Sequence, residues 1–201
     1  MGVTSSRQDL RRAIQALAFV QAGFFTAAQA VETGYSYQAQ KHHVDTGNWV
    51  RVDRGIFRLP DWPQDADDTY VRWTLWSRGR GVISHNSALR IHGLSDADPA
   101  KIHMSAPPGF RTRDDQVILY SVLVPDEDRD VRRGWSVTTP LRTLVDVADG
   151  DASQETVDDA VADALAGGLV TRRSVLRRAV QEADRAALRL ERALAKAVAN
   201  A

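Results

Sequence analysis

The chain has 201 residues, 43% hydrophobic and 26% charged, which is ordinary for a globular protein and long enough to bury a core without disulfide or metal staples. It has no cysteine, so disulfides, thiolate catalysis and cysteine–zinc sites are excluded. Its 26 basic and 26 acidic residues cancel, so any hold on nucleic acid must come from a local positive face rather than from the whole-chain field.

In chain order, the start from Met1 to Ser6 is polar and lacks a signal-peptide core, and no run approaches the about 18 apolar residues of a membrane span. A cytoplasmic protein that does not enter the membrane is expected. Leu10, Ile14, Leu17 and Ala18 recur at helical spacing over residues 7–22, and Gly23 stops that helix. Thr26, with Gln29 three residues on, has the pattern of a capping box and opens a second helix to about Glu32. Gly34 ends it, and Ser36 caps a third helix from Tyr37 to about Thr46, stopped by Gly47. Trp49 to Val52, the turn Asp53-Arg54-Gly55 and Ile56 to Leu59 read as strand, tight turn, strand. Pro60 and Pro63 close this unit. Three helices followed by a two-stranded ribbon is the layout of a winged helix-turn-helix, here residues 1–62.

An Asp-rich linker follows, and then a helix over residues 68–77 carrying Tyr70, Trp73 and Trp76. Residues 81–84 read as a short strand, 86–92 as a short helix, and 101–105, 116–124 and 134–138 as strands. Thr139-Pro140 opens a helix, with proline at a favoured first position. Another helix covers 154–166, Gly167-Gly168 breaks it, and Thr171 opens one last long helix. The expected fold class is α+β: a winged helix-turn-helix, then a mixed α/β domain over 63–201 that ends in helices.

The third helix carries the chemistry of a groove reader. Tyr37, Gln38, Lys41, His42 and Asp45 fall within roughly 140° of arc on a helical wheel, with Ala39, Gln40, His43 and Val44 opposite. Gln38 suits adenine, Lys41 guanine or phosphate, and Tyr37 phosphate or a thymine methyl. Ser36 at the helix start and Arg51, Arg54 and Arg58 in the wing complete the expected DNA-contacting set. Residues 1–62 hold seven basic against five acidic residues, a modest positive excess. Asp45 repels phosphate, so it either accepts from cytosine or pairs with a wing arginine. A solvated polar face without function explains the same wheel.

Enzyme readings find little support. Asp96-Ala-Asp98 lacks a Gly-Ser loop before it, and Pro99 argues for a turn. The run Asp126-Glu-Asp128 reads as a solvated loop face. The five histidines show no metal-ligand spacing. His85 beside Ser84 is discounted as a dyad, because adjacent strand residues point to opposite faces. Ser84 and Asn86 read instead as helix caps. No cofactor is expected.

Several stretches resemble a known family. Phe25-Thr-Ala-Ala-Gln-Ala, Gly34-Tyr-Ser, Gly47-Asn-Trp49 and Arg54-Gly55-Ile-Phe-Arg-Leu59 are similar to the N-terminal domain of AbiEi-type antitoxins. The likeness continues in Ser84-His-Asn-Ser-Ala-Leu89, Ile91-His-Gly-Leu94, Val137 to Asp146 and Val161 to Val170, covering roughly residues 17–180. It implies an antitoxin that represses its own operon through the winged domain, usually at inverted repeats. It further implies a C-terminal domain that counteracts a nucleotidyltransferase toxin encoded alongside. Gln40, where relatives tend to carry an apolar residue, and Asp45 depart from the pattern. The alternative is a winged-helix transcription regulator with a ligand-sensing C-terminal domain, which an apolar cavity among Trp73, Trp76 and Trp135 would favour. The arginine-rich last helix (Arg172, Arg173, Arg177, Arg178, Arg185, Arg189 and Arg192) is expected to be exposed, either as a docking surface for an acidic partner or as a solvated face.

Overall fold

The computed structural model describes residues 6–112 and 114–199. The chain divides into two units. The first runs to Gly79 and takes back Val131–Trp135, and the second comprises Arg80–Asp130 and the chain from Ser136 on.

In the first unit, Ser6 caps α1 (Arg7–Val20) reciprocally with Asp9. The expected Thr26–Gln29 capping box opens α2 (Ala27–Glu32), and Ser36 accepts from the Ala39 amide to open α3 (Tyr37–Asp45). Gly34 lies between these helices at φ +106°, where a Cβ would stand 2.8 Å from a Leu10 methyl, so the tight turn and the approach of α1 both require glycine. The wing is β2 (Val50–Asp53) and β3 (Ile56–Arg58). A third strand, β1 (Phe24–Thr26), pairs antiparallel with β3 and gives a sheet of order β1-β3-β2. At three residues it is too short to show a period of two. Ile14, Ala18, Phe25, Ala30, Tyr35, Trp49 and Phe57 form the buried core.

This unit extends beyond residue 62. Helix α4 (Asp68–Trp76) packs on β1 and β3, with Val71 and Trp73 buried. The segment Val131–Trp135, far along the chain, also belongs here. Trp135 is buried and meets Tyr70 at a tilt with ring centroids 4.8 Å apart, while Trp76 meets Trp73 edge-on at 5.3 Å. The three tryptophans named above as a possible ligand cavity therefore belong to the first unit, and two of them are filled core.

In the second unit, β4 (Val82–Ile83), β5 (Ile102–Ala106), β6 (Val117–Ser121), β7 (Arg129–Val131) and β8 (Ser136–Thr138) form a mixed sheet of order β6-β5-β4-β8-β7. β4 runs antiparallel to β5 and parallel to β8, and β5 is parallel to β6. Helices α5 (His85–His92), α6 (Pro140–Asp149), α7 (Gln154–Ala166), α8 (Arg172–Ala179) and α9 (Asp184–Ala199) complete it. Their core includes Leu89, Leu144, Val161, Val175, Leu190 and Leu194. Fully burying one such leucine contributes about 1.5–3 kcal/mol. The single long helix expected from Thr171 is two helices. The break lets α8 bury Val175 and Ala179 while α9 turns back to bury Ala186, Leu190 and Leu194 in the same core. Val180 and Leu188, apolar residues of the same run, are 82% and 66% exposed.

The architecture is thus α+β, with a winged-helix-like first unit and a mixed α/β second unit ending in helices.

Candidate nucleic-acid interface

Helix α3 presents two faces, as its pattern requires. Gln40 is buried, and its amide donates to the carbonyls of Ala27 at 3.1 Å and Tyr35 at 3.2 Å. This ties α3 to the start of α2 and to the turn between them. A glutamine replaces the apolar residue expected there because two backbone acceptors lie within its reach. His43 stacks on Trp49 at 4.7 Å, and burial, with a smaller contribution from the charge of His42, lowers its pKa. On the opposite face Ser36, Tyr37, Gln38, Lys41, His42 and Asp45 are exposed, Tyr37 by 72%. Asp45 pairs with Lys41 one turn earlier at 2.5 Å, not with a wing arginine.

The wing arginines divide. Arg51 and Arg54 are exposed. Arg51 passes over the Phe57 ring at 5.8 Å, and the Arg54 amide donates to Asp53 in the turn. Arg58 points elsewhere. Its guanidinium pairs with Asp68 of α4 at 2.7 Å, donates to the Pro63 carbonyl at 2.8 Å and covers the Phe24 ring at 4.7 Å. With its side chain only 14% exposed, it fastens α4 and the loop after β3 onto the sheet.

The second unit holds a buried polar centre that the sequence reading did not find. β4 ends at Ile83, and His85 adopts φ +51°, so the chain turns sharply and His85 Nδ1 comes within 2.9 Å of Ser84 Oγ. Opposite facing of neighbours holds only inside a strand, and this pair lies beyond its end. Ser84 makes no side-chain cap bond; its hydroxyl accepts from Ser105 at 2.9 Å. Ser84 is fully buried, which keeps it from any reagent in solution. The His85 ring stacks on Tyr120 at 3.5 Å, and the Tyr120 hydroxyl meets His103 Nδ1 at 2.9 Å. Burial, then the charges of His103 and Arg142, push the His85 pKa down to about 3. A left-handed backbone at a non-glycine residue persists only where its surroundings over-determine it, and here the stack and the serine bond do so.

Beside it, Asp128 is a buried hub rather than a loop face. It accepts from Arg142 of α6 at 3.0 Å and from Arg178 of α8 at 3.0 and 2.8 Å. Burial alone would raise its pKa, but hydrogen bonds and charge from the two guanidiniums outweigh that and lower it. Asp146 accepts from Arg142 Nε at 2.7 Å, yet its Oδ2 is buried without a partner. Burial pushes its pKa up to about 6, against the pull of Arg142. Arg178 and Arg189, expected on an exposed helix face, are committed inside the unit: Arg178 to Asp128 and Glu182, Arg189 to the carbonyls of Ala148, Gly150 and Ala152. Arg172, Arg173, Arg177 and Arg192 are exposed. Among the described residues, no group of three His, Asp or Glu side chains is arranged to hold a metal ion, and no helix is long and apolar enough to cross a membrane.

Residues 81–196, more than half of the chain, match the AbiEi antitoxin C-terminal domain. The chain belongs to the AbiEi antitoxin family. The matched span contains the whole Ser84–His85–Tyr120 centre and the Asp128 hub. Of that centre Ser84 is fully buried, while His85 and Tyr120 are half-buried. The fold is similar to that of the crystal structure of RV2827C protein from Mycobacterium tuberculosis, with a TM-score of 0.61 and 15% identity over 96% of this chain and 78% of that one. No curated protein sequence is similar enough to the chain to count as a match. The family resemblance read from Ser84 to Leu94 and from Val137 to Val170 is borne out. The buried centre had a sequence signal in the Ser84-His85 pair itself, but its partners Ser105 and Tyr120 lie on other strands.

Proposed function

We propose that this antitoxin-family protein represses its own operon by binding operator DNA through the first unit and counteracts a cognate nucleotidyltransferase toxin through the second. The observation that carries the DNA reading is the uncovered row Tyr37, Gln38, Lys41 and His42 on α3, beside a wing whose Arg51 and Arg54 are also exposed. A helix of this width fits a major groove about 12 Å across. Gln38 reads adenine, Lys41 takes guanine or phosphate, and Tyr37 packs on a phosphate or a thymine methyl. Ser36 is spent on its cap, so it contributes through the amide-rich helix start, which favours phosphate. Arg51 and Arg54 neutralise backbone phosphates. Arg58, held by Asp68, has a structural role instead. The toxin reading rests on family membership.

The test keeps the chain whole. Tyr37→Ala/Lys41→Ala/Arg54→Ala should lose binding to the native upstream region and derepress a reporter, while co-expression with the adjacent toxin gene still permits growth. Upstream DNA bound no better than shuffled DNA at every salt concentration would overturn the repressor role. Continued toxicity in the presence of the folded parent protein would overturn the antitoxin role.

A further inference from the structure

A groove of about 1070 Å³ lies within the first unit, against the edge of α3 that carries Ser36, Ala39, His42 and His43. One wall is α1, with Arg7, Leu10 and Arg11; the other is the inner edge of α3 and the start of the wing. Its floor is aromatic. Tyr35 and Trp49, 7% and 4% exposed, meet edge-on at 4.9 Å, and Trp62 of the loop after β3 stands at one end.

The charges are one-sided. Arg7 and Arg11 lie one helical turn apart, so their side chains are neighbours on one face. Both are exposed, and neither has an ion pair among the described residues. Asp9, between them in sequence, is occupied by Ser6 in the capping box. The one carboxylate among the described lining residues, Asp61, belongs to the loop after β3. Burial raises the Tyr35 pKa and the charge of Arg11 opposes this, so the guanidinium acts on the groove floor. His43 is in the opposite wall, and its Nδ1 has no hydrogen-bond partner.

We propose that this groove is a binding site for a small aromatic carboxylate, its anion held by Arg7 and Arg11 and its ring laid against Tyr35 and Trp49. The volume lies just above the about 300–1,000 Å³ typical of small-molecule sites, which leaves room for a single-ring or fused-ring ligand. A paired guanidinium rim selects a carboxylate through charge-assisted hydrogen bonds. The small exposed edges of Tyr35 and Trp49 favour a planar ring over an aliphatic chain. Ser36, His42 and His43 line the same groove, so an occupant touches α3 along one edge of its exposed row. The proposal does not depend on the DNA reading, because it concerns the free protein.

Indole-3-acetate is titrated into the full-length chain by calorimetry and followed by amide NMR, with indole-3-acetamide and acetate as controls. Loss of the charged contact should weaken binding about tenfold or more, so the acid should bind at least that much more tightly than the amide, and acetate should not bind measurably. NMR shifts should cluster at residues 7–15, 35, 43 and 49. Arg7→Ala/Arg11→Ala, at two exposed positions that leave the fold intact, should bind acid and amide alike. No saturable binding at millimolar indole-3-acetate, equal affinity for acid and amide in the parent, or an unchanged double variant would overturn the proposal. So would shifts confined to Tyr37, Gln38, Lys41 and Asp45, which lie outside the groove lining.

Discussion

The Arg133 guanidinium donates to the Phe19 carbonyl from Nε at 3.0 Å and from Nη2 at 2.5 Å, across 114 residues of sequence. It also covers the Phe19 and Trp62 rings at 4.8 and 5.4 Å. Next to it Gly134, at φ +82°, sits where a Cβ would stand 2.9 Å from Gln21 Cα. The segment 131–135 is therefore built into the first unit at the end of α1. Gly134→Ala should destabilise by about 1–3 kcal/mol, because backbone cannot yield as a flexible side chain does. Arg133→Ala, at an exposed site, should cost less, on the order of 1 kcal/mol. Urea unfolding measures both, and a Gly134→Ala protein as stable as the parent would contradict this docking.

A cut between residues 62 and 63 strands α4, whose Val71 and Trp73 are buried in a unit that includes β1 and β3. A 63–201 fragment should show exposed apolar surface by dye binding and aggregate more readily than the full chain. Roles of the two units are better separated by point variants. A monomeric, dye-negative fragment would show that α4 does not need the sheet.

Asp128 holds two partly buried guanidiniums at once. Asp128→Ala removes the carboxylate that both share, leaving Arg142 only Asp146 and Arg178 only Glu182, and should cost about 1.5–3 kcal/mol. Because its folded pKa lies below the unfolded value of about 3.8, its contribution is present above that pH and is lost as the pH falls through the depressed value. Asp146 runs the other way. Its pKa is raised to about 6, so it favours folding most below 3.8, and that support fades as the pH rises through 6. The stability of Asp146→Asn relative to the parent should thus improve from pH 5 to pH 8. A pH-independent difference in urea midpoints would remove Asp146 as a titrating group in this window.

His85 is neutral when folded, with a pKa of about 3 against 6.5 for an ordinary imidazole. Below pH 6.5 the unfolded chain takes up a proton that the folded chain refuses, so stability is lost as the pH falls from 6.5 toward 3. One such proton corresponds to about 1.4 kcal/mol per pH unit. His85→Asn, which tolerates the left-handed backbone, should flatten the acid limb of thermal unfolding. An unchanged limb would mean that His103, also lowered by burial, or another group dominates it.

The split among the arginines gives an internal control for DNA binding. Arg54→Ala should lower the log–log salt slope by about 0.9, the value for one phosphate contact. Arg58→Ala should leave the slope unchanged and lower stability instead, since Asp68 loses its partner. Asp45→Asn frees Lys41 and removes a repelling charge, so it should tighten non-specific binding at low salt. Gln38→Ala should alter base preference by about 1–3 kcal/mol of discrimination, read by site selection. Equal slopes for Arg54→Ala and the parent would remove Arg54 from the contact set.

Local rules carry far along this chain. The caps at Thr26, Ser36 and Thr139 and the stops at Gly34 and Gly47 lie where the sequence places them, because a cap involves groups only three residues apart. The two faces of α3 were legible from a wheel for the same reason. The family was legible too, since its motifs are continuous stretches. What the sequence left open lies between distant residues. The Arg58–Asp68 pair, the Arg133–Phe19 bond and the Asp128 hub each need groups brought within about 3 Å by folding, and no period along the chain encodes that approach. The break between α8 and α9 is of the same kind. Val180 and Leu188 are apolar like Val175 and Leu194, and only the position of Leu144, Val161 and Leu190 decided which apolar side chains could be buried at once. Propensity acts over a few residues; burial and charge pairing are settled by what the rest of the chain brings near.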